Sequence, residues 1–108
     1  MPEFPSQFSD LQLYSDWSMS TEQDRIKEID SRSDDDLRSF YDAVFPRMAA
    51  IVSHLNKYPL KGMPETEAAL FDLAKMMIEV ATVVEHGRSI IGQYFDVRRF
   101  VPLNEMEG

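Results

Sequence analysis

Residues 64–86 constrain the fold of this chain more than any other stretch. Apolar side chains recur there at Leu70, Leu73, Met77, Val80 and Val84, in steps of three and four that line one face of an α-helix. Ala69, Phe71, Ala74, Met76, Ile78, Ala81 and Val83 widen the apolar arc to roughly 240° of the helical wheel. Only a strip through Ala68, Asp72, Lys75, Glu79, Thr82 and His86 is left to face water. A helix this apolar needs cover on more than one side.

One long helical partner is legible upstream. Leu37, Tyr41, Val44, Met48, Ile51, Leu55 and Tyr58 again step by four and three across residues 34–58, with a narrower apolar arc of roughly 140°. Ser33 is placed to cap this helix, and Asp34, Asp35 and Asp36 fall in its first turn, where carboxylates meet the positive end of the helix dipole. The acidic triplet therefore reads as capping chemistry rather than as a metal cluster. Pro46 interrupts the backbone ladder in mid-segment, yet the apolar stripe continues in phase across it, which predicts a kink. Pro59 and the turn Leu60-Lys61-Gly62-Met63 end the segment, Pro64 suits the first turn of the next helix, and Gly87 closes it. So short a connection makes the two long helices antiparallel neighbours.

The remainder is less regular. Residues 1–16 carry Pro2 and Pro5 and no helical period, which predicts an extended N-terminal arm whose aromatics Phe4, Phe8 and Tyr14 lie on the helices, with ordered packing starting at Trp17. A short helix is expected over residues 20–29, with Ser20 and Gln23 as a capping box. Residues 88–108 read as a C-terminal arm packed on the bundle. The expected architecture is all-α: an antiparallel helical hairpin or bundle over residues 17–87, with a short N-terminal helix and extended N- and C-terminal arms.

Composition narrows the functional classes. With no cysteine, disulfides, thiolate metal sites and a cysteine nucleophile are excluded. A formal net charge of −8 opposes binding to nucleic-acid phosphates and to anionic membranes. No run reaches the ~18–20 apolar residues of a membrane span, and Met1-Pro2-Glu3-Phe4-Pro5 does not resemble a secretory signal, so the expected location is the cytoplasm. One domain is expected from 108 residues.

Chemistry-bearing residues are few. No Glu-x-x-His pair of the di-metal bundles occurs, and no glycine-rich phosphate loop or G-x-S-x-G elbow. Glu79 and His86 share a helix face, but it is the strip assigned to water. No catalytic residue, metal ligand or cofactor is therefore assigned. His54, at the edge of its helix's apolar arc, and Arg98 and Arg99, beside Phe95 and Phe100, are candidate contacts for a ligand or partner. Met48, Met76 and Met77 suit either a core or a pliable interface. The runs Phe40-Tyr41, Pro46-Arg47, Tyr58-Pro59-Leu60, Met63-Pro64-Glu65 and Phe95-Asp96-Val97-Arg98-Arg99-Phe100 resemble small bacterial all-helical proteins. The resemblance implies the fold class and no activity.

The apolar excess on the second long helix leads to an expected homodimer, with Leu70, Leu73, Met76, Met77, Val80, Val83 and Val84 at the interface between copies. The functional expectation is a non-enzymatic accessory or regulatory protein that binds a protein partner through an apolar helical face. The alternative is a hydrophobic-ligand binder or minor enzyme with a cavity between helices.

Overall fold

A computed structural model of the chain describes residues 2–87. Among them there is no strand. A 3-10 segment Ser6–Trp17 leads into α1 (Glu22–Ser31), α2 (Asp34–Val44), a 3-10 turn Phe45–Arg47, α3 (Met48–Leu55) and α4 (Glu65–His86). The all-helical class expected from the periodicity is the observed one. The C-terminal arm expected over residues 88–108, with Arg98 and Arg99, lies outside the described residues.

Local chemistry sets each boundary. The Thr21 hydroxyl accepts from the Asp24 amide at 3.1 Å and caps α1, one residue later than the Ser20 cap expected. Ser33 caps α2 by accepting from the Asp36 amide at 3.1 Å, with the three aspartates in the first turn as the dipole argument requires. Pro46 does more than kink the segment: it divides it into α2 and α3 through one 3-10 turn. The backbone stays right-handed at Phe45 and Met48, so the buried faces Leu37, Phe40, Val44 and Met48, Ile51, Leu55 remain in phase. Gly87 ends α4 at φ 96°, a conformation that favours glycine, and its amide donates to the Val83 carbonyl at 2.8 Å.

The N-terminal arm is wound rather than extended. Phe8, Leu11, Tyr14 and Trp17 are spaced by three, the period of a 3-10 helix, which sets them on one face. Phe8, Leu11 and Trp17 are buried and Tyr14 is packed against the core. Non-helical torsions at Phe8 and Tyr14 break the segment into short turns, consistent with the poor hydrogen-bond geometry of longer 3-10 runs. The Gln12 side chain closes the start, accepting from the Phe4 amide at 3.1 Å and donating to the Pro2 carbonyl at 2.7 Å.

The centre of the molecule is α4. The 3-10 segment, α1, α2 and α3 all pack on it. Tyr41 of α2 bonds to Glu85 at the end of α4, while His54 at the end of α3 meets Glu67 at the start of α4, so α2–α3 and α4 run antiparallel. Leu70, Leu73, Met76, Met77, Val80 and Val83 are all buried within one chain, and Val84 is half-buried. These seven residues, expected at an interface between two copies, form part of a single chain's core. The wide apolar arc is real, but its cover is intramolecular. Splitting at Pro46 and winding of the N-terminal segment supply the extra packing elements that two straight helices lack. The strip assigned to water is corrected in the same way: Glu79 and Thr82 are buried.

Candidate functional site

Three polar constellations tie separate elements together. At the first, His54 of α3 lies between the N-terminal segment and the first turn of α4. Its Nε2 donates to Glu67 Oε2 at 2.9 Å, and the Gln7 amide nitrogen, 2.9 Å away, donates to Nδ1. Since an amide nitrogen only donates, Nδ1 is the acceptor in this arrangement and Nε2 is the nitrogen facing Glu67. The rings of Phe8 and Tyr58 flank it, with centroids at 5.6 and 5.4 Å. The Thr66 hydroxyl donates to the other Glu67 oxygen at 2.6 Å. Hydrogen bonds from Thr66 and then His54 hold the Glu67 carboxyl below the usual carboxylate range, against the opposing pull of burial.

A groove of about 870 Å³ runs past this group, lined by Glu3, Phe4, Gln7, Gln12, His54 and Tyr58 among others. It is open to solvent along one side, not an enclosed cavity. Both imidazole nitrogens are engaged and the Thr66 hydroxyl is turned to Glu67, so the geometry acts as a tie holding the N-terminal segment to α3 and α4.

The second constellation joins α1 to α4. Arg25 Nε donates to Glu79 Oε2 at 2.5 Å and Nη1 to the Met19 carbonyl at 3.0 Å, with both side chains buried. Burial pushes the Glu79 carboxyl above the usual range, and Arg25 opposes that rise. At the third, Arg47 grips both Asp10 oxygens at 3.1 and 3.2 Å and the Gln7 carbonyl at 2.9 Å, with its guanidinium over the Phe8 ring.

Of the contact residues expected from sequence, His54 is thus placed at a junction, and Arg98 and Arg99 lie outside the described residues. The sequence pattern does not mark Gln7, Arg25, Glu67 or Glu79 as site residues. Their spacing carries a signal: Glu67 precedes Leu70 by three, in phase with the apolar stripe, and Arg25 precedes Ile29 by four. Among the described residues no group of three or more His, Asp or Glu is placed to hold a metal ion, and no helix is long and apolar enough to cross a membrane.

Glu67 gives a pH-dependent expectation. A carboxyl held low in the folded state stabilises it above the unfolded value of about 4.3, and that contribution is lost as pH falls through the folded value. The difference in melting temperature between wild type and Glu67→Gln is therefore expected to be full near neutral pH and to shrink steadily below about pH 4. A gap in thermal melts that is constant from pH 7 to pH 3 contradicts this.

No protein-family model matches the chain, and neither the curated proteins nor the solved structures yield a match.

Proposed function

We propose that this chain is a small non-enzymatic accessory or regulatory protein that acts by binding another protein. The observation carrying this reading is the distribution of charge. Arg25, Arg32, Arg38, Arg47 and Lys75 each pair with a carboxylate of the same chain. Their positive charge is neutralised internally, while Glu22, Asp24, Asp30, Asp35 and Asp36 stay exposed around α1 and the start of α2. A basic or amphipathic helix suits such a surface, because complementary charge speeds encounter and rejects acidic competitors.

Asp35→Lys combined with Asp36→Lys tests it. The two changes forfeit about 0.3–1 kcal/mol each of helix-dipole stabilisation, so the variant still folds. A partner recovered from the native host on wild-type bait is expected to be lost on the variant. Recovery of that same partner on both baits overturns the reading.

The groove beside His54 favours a second reading, a small-ligand binder. Its openness, and the engagement of both His54 nitrogens, place it behind the first.

A further inference from the structure

Helix α4 loses its cover before it ends. Residues 76–83 are buried, Val84 is half-buried, and Glu85, His86 and Gly87 are exposed. There a groove of about 560 Å³ opens between the start of α2 and the end of α4. Its lining mixes apolar Leu37, Val83 and Val84 with charged Asp34, Asp35 and Arg38, and Gly87 completes it.

We propose that this groove seats the chain's own residues 88–95, with Ile90 and Ile91 against Val84 and the edge of α2, and Arg88 on Asp35. The proposal goes beyond the interaction reading above and does not depend on it.

Three observations carry it. First, the chain leaves α4 at the groove itself. Gly87 lines the groove and, at φ 96°, takes the backbone off the helical path. A chain advances at most about 3.3–3.6 Å per residue, so Arg88 falls beside the Asp35 rim and Ile91 stays within about 14 Å of Gly87.

Second, the segment has the composition that a mixed lining requires. Ile90, Ile91, Tyr94 and Phe95 make half of residues 88–95 apolar, and Arg88 is their one charge. Residues 88–108 balance Arg88, Arg98 and Arg99 with Asp96, Glu105 and Glu107, so the net charge of −8 belongs to the body before them. A cation followed by two isoleucines thus meets an acidic rim beside a half-buried valine. Arg38, on the same rim, does not oppose Arg88. It is turned along α2 towards Asp42, at 3.3 Å, and over the Tyr41 ring, away from Asp35 three residues earlier.

Third, the segment is tethered where it would bind. A short covalent link gives it an effective concentration of the order of millimolar, which a second copy or a separate partner does not reach.

Methyl NOEs in the full chain test the seat. The Ile90 and Ile91 methyls are expected to give cross-peaks to Val84 and to Leu37. Absence of these cross-peaks, or their replacement by cross-peaks to α1 or α3, overturns the proposal. In a mixture of isotope-labelled and unlabelled chains, none of them is expected in the spectrum filtered for contacts between molecules. Their appearance there puts a second copy in the groove and overturns it. Ile90→Asp combined with Ile91→Asp is expected to remove the cross-peaks and to lower the melting temperature by about 4–8 °C, while residues 45–60 keep their chemical shifts. An unchanged melting temperature overturns the seat. Arg88→Glu is expected to weaken the cross-peaks at least twofold, and Asp35→Arg in the same chain to restore them. Failure of the swap to restore them overturns the placing of Arg88 on Asp35. These readouts need no natural partner, so their failure is distinguishable from loss of a partner at Asp35 and Asp36.

Discussion

Val80→Asp is expected to abolish the folded state. Val80 is 0% exposed in the C-terminal half of α4, and the helix is covered by α1, α2, α3 and the N-terminal segment. A carboxylate there has no partner, and burying an unpaired charge costs several kcal/mol. A domain of this size has about 5–15 kcal/mol in total, so one such change consumes most of it. Circular dichroism at neutral pH is expected to show loss of helix at room temperature, while the control Val80→Ala stays folded with a loss of about 1–3 kcal/mol. The readout also separates a core from a seam between copies. A seam residue would give a folded, dissociated monomer, and sedimentation of a helical species at monomer mass would contradict the single-chain core.

Phe40→Ala is expected to cost about 3–5 kcal/mol, the range for removing a large buried ring. Phe40 is 0% exposed and stacks on Trp17 with ring centroids 4.3 Å apart and planes 14° from parallel. Tyr14 meets it edge-on at 5.4 Å, and the Arg32 guanidinium lies 4.4 Å from the Trp17 ring centroid. One ring thus joins α2 to the N-terminal segment, and its loss leaves a cavity and an unsupported indole. Because Trp17 is the only tryptophan, its fluorescence reports the site directly. Denaturant unfolding is expected to shift to a clearly lower midpoint, with native-state emission moved to the red. An unchanged midpoint contradicts the assignment of Phe40 as a keystone between the two elements.

How much of this was legible in the residues depends on the range of the interaction. Caps are local, and they are legible within a residue or so: Ser33 with its three aspartates, and Gly87 after α4; Pro46 reads as a kink, whereas it divides the segment into α2 and α3. The Phe8, Leu11, Tyr14, Trp17 series was also present in the residues, but its period of three belongs to a helix type rarely sustained over a dozen residues. Beside Pro2 and Pro5 it read as an extended arm. In the stripe over residues 34–58 the spacing puts Tyr41 in the core, whereas Phe40 occupies that position and Tyr41 reaches Glu85 from the half-buried edge.

The polar ties were illegible for a different reason. Arg25 and Glu79 are 54 positions apart, and Gln7 and His54 are 47 apart. A charged residue in an amphipathic pattern reads as a solvated one unless its partner is known, since burial without a partner is prohibitive.

The sequence alone settled the helical class, the start of α2 and both ends of α4, because period and capping act between residues a few positions apart. It also showed that the last described helix is too apolar to stand with one neighbour. Only the tertiary structure decided what covers that helix. Cover is a contact between residues distant along the chain, and the same apolar surface is satisfied equally by a second copy or by the chain folding back on itself. Here α1, α2, α3 and the N-terminal turns provide it, and Arg25 on Glu79 turns a strip written for water into a buried junction.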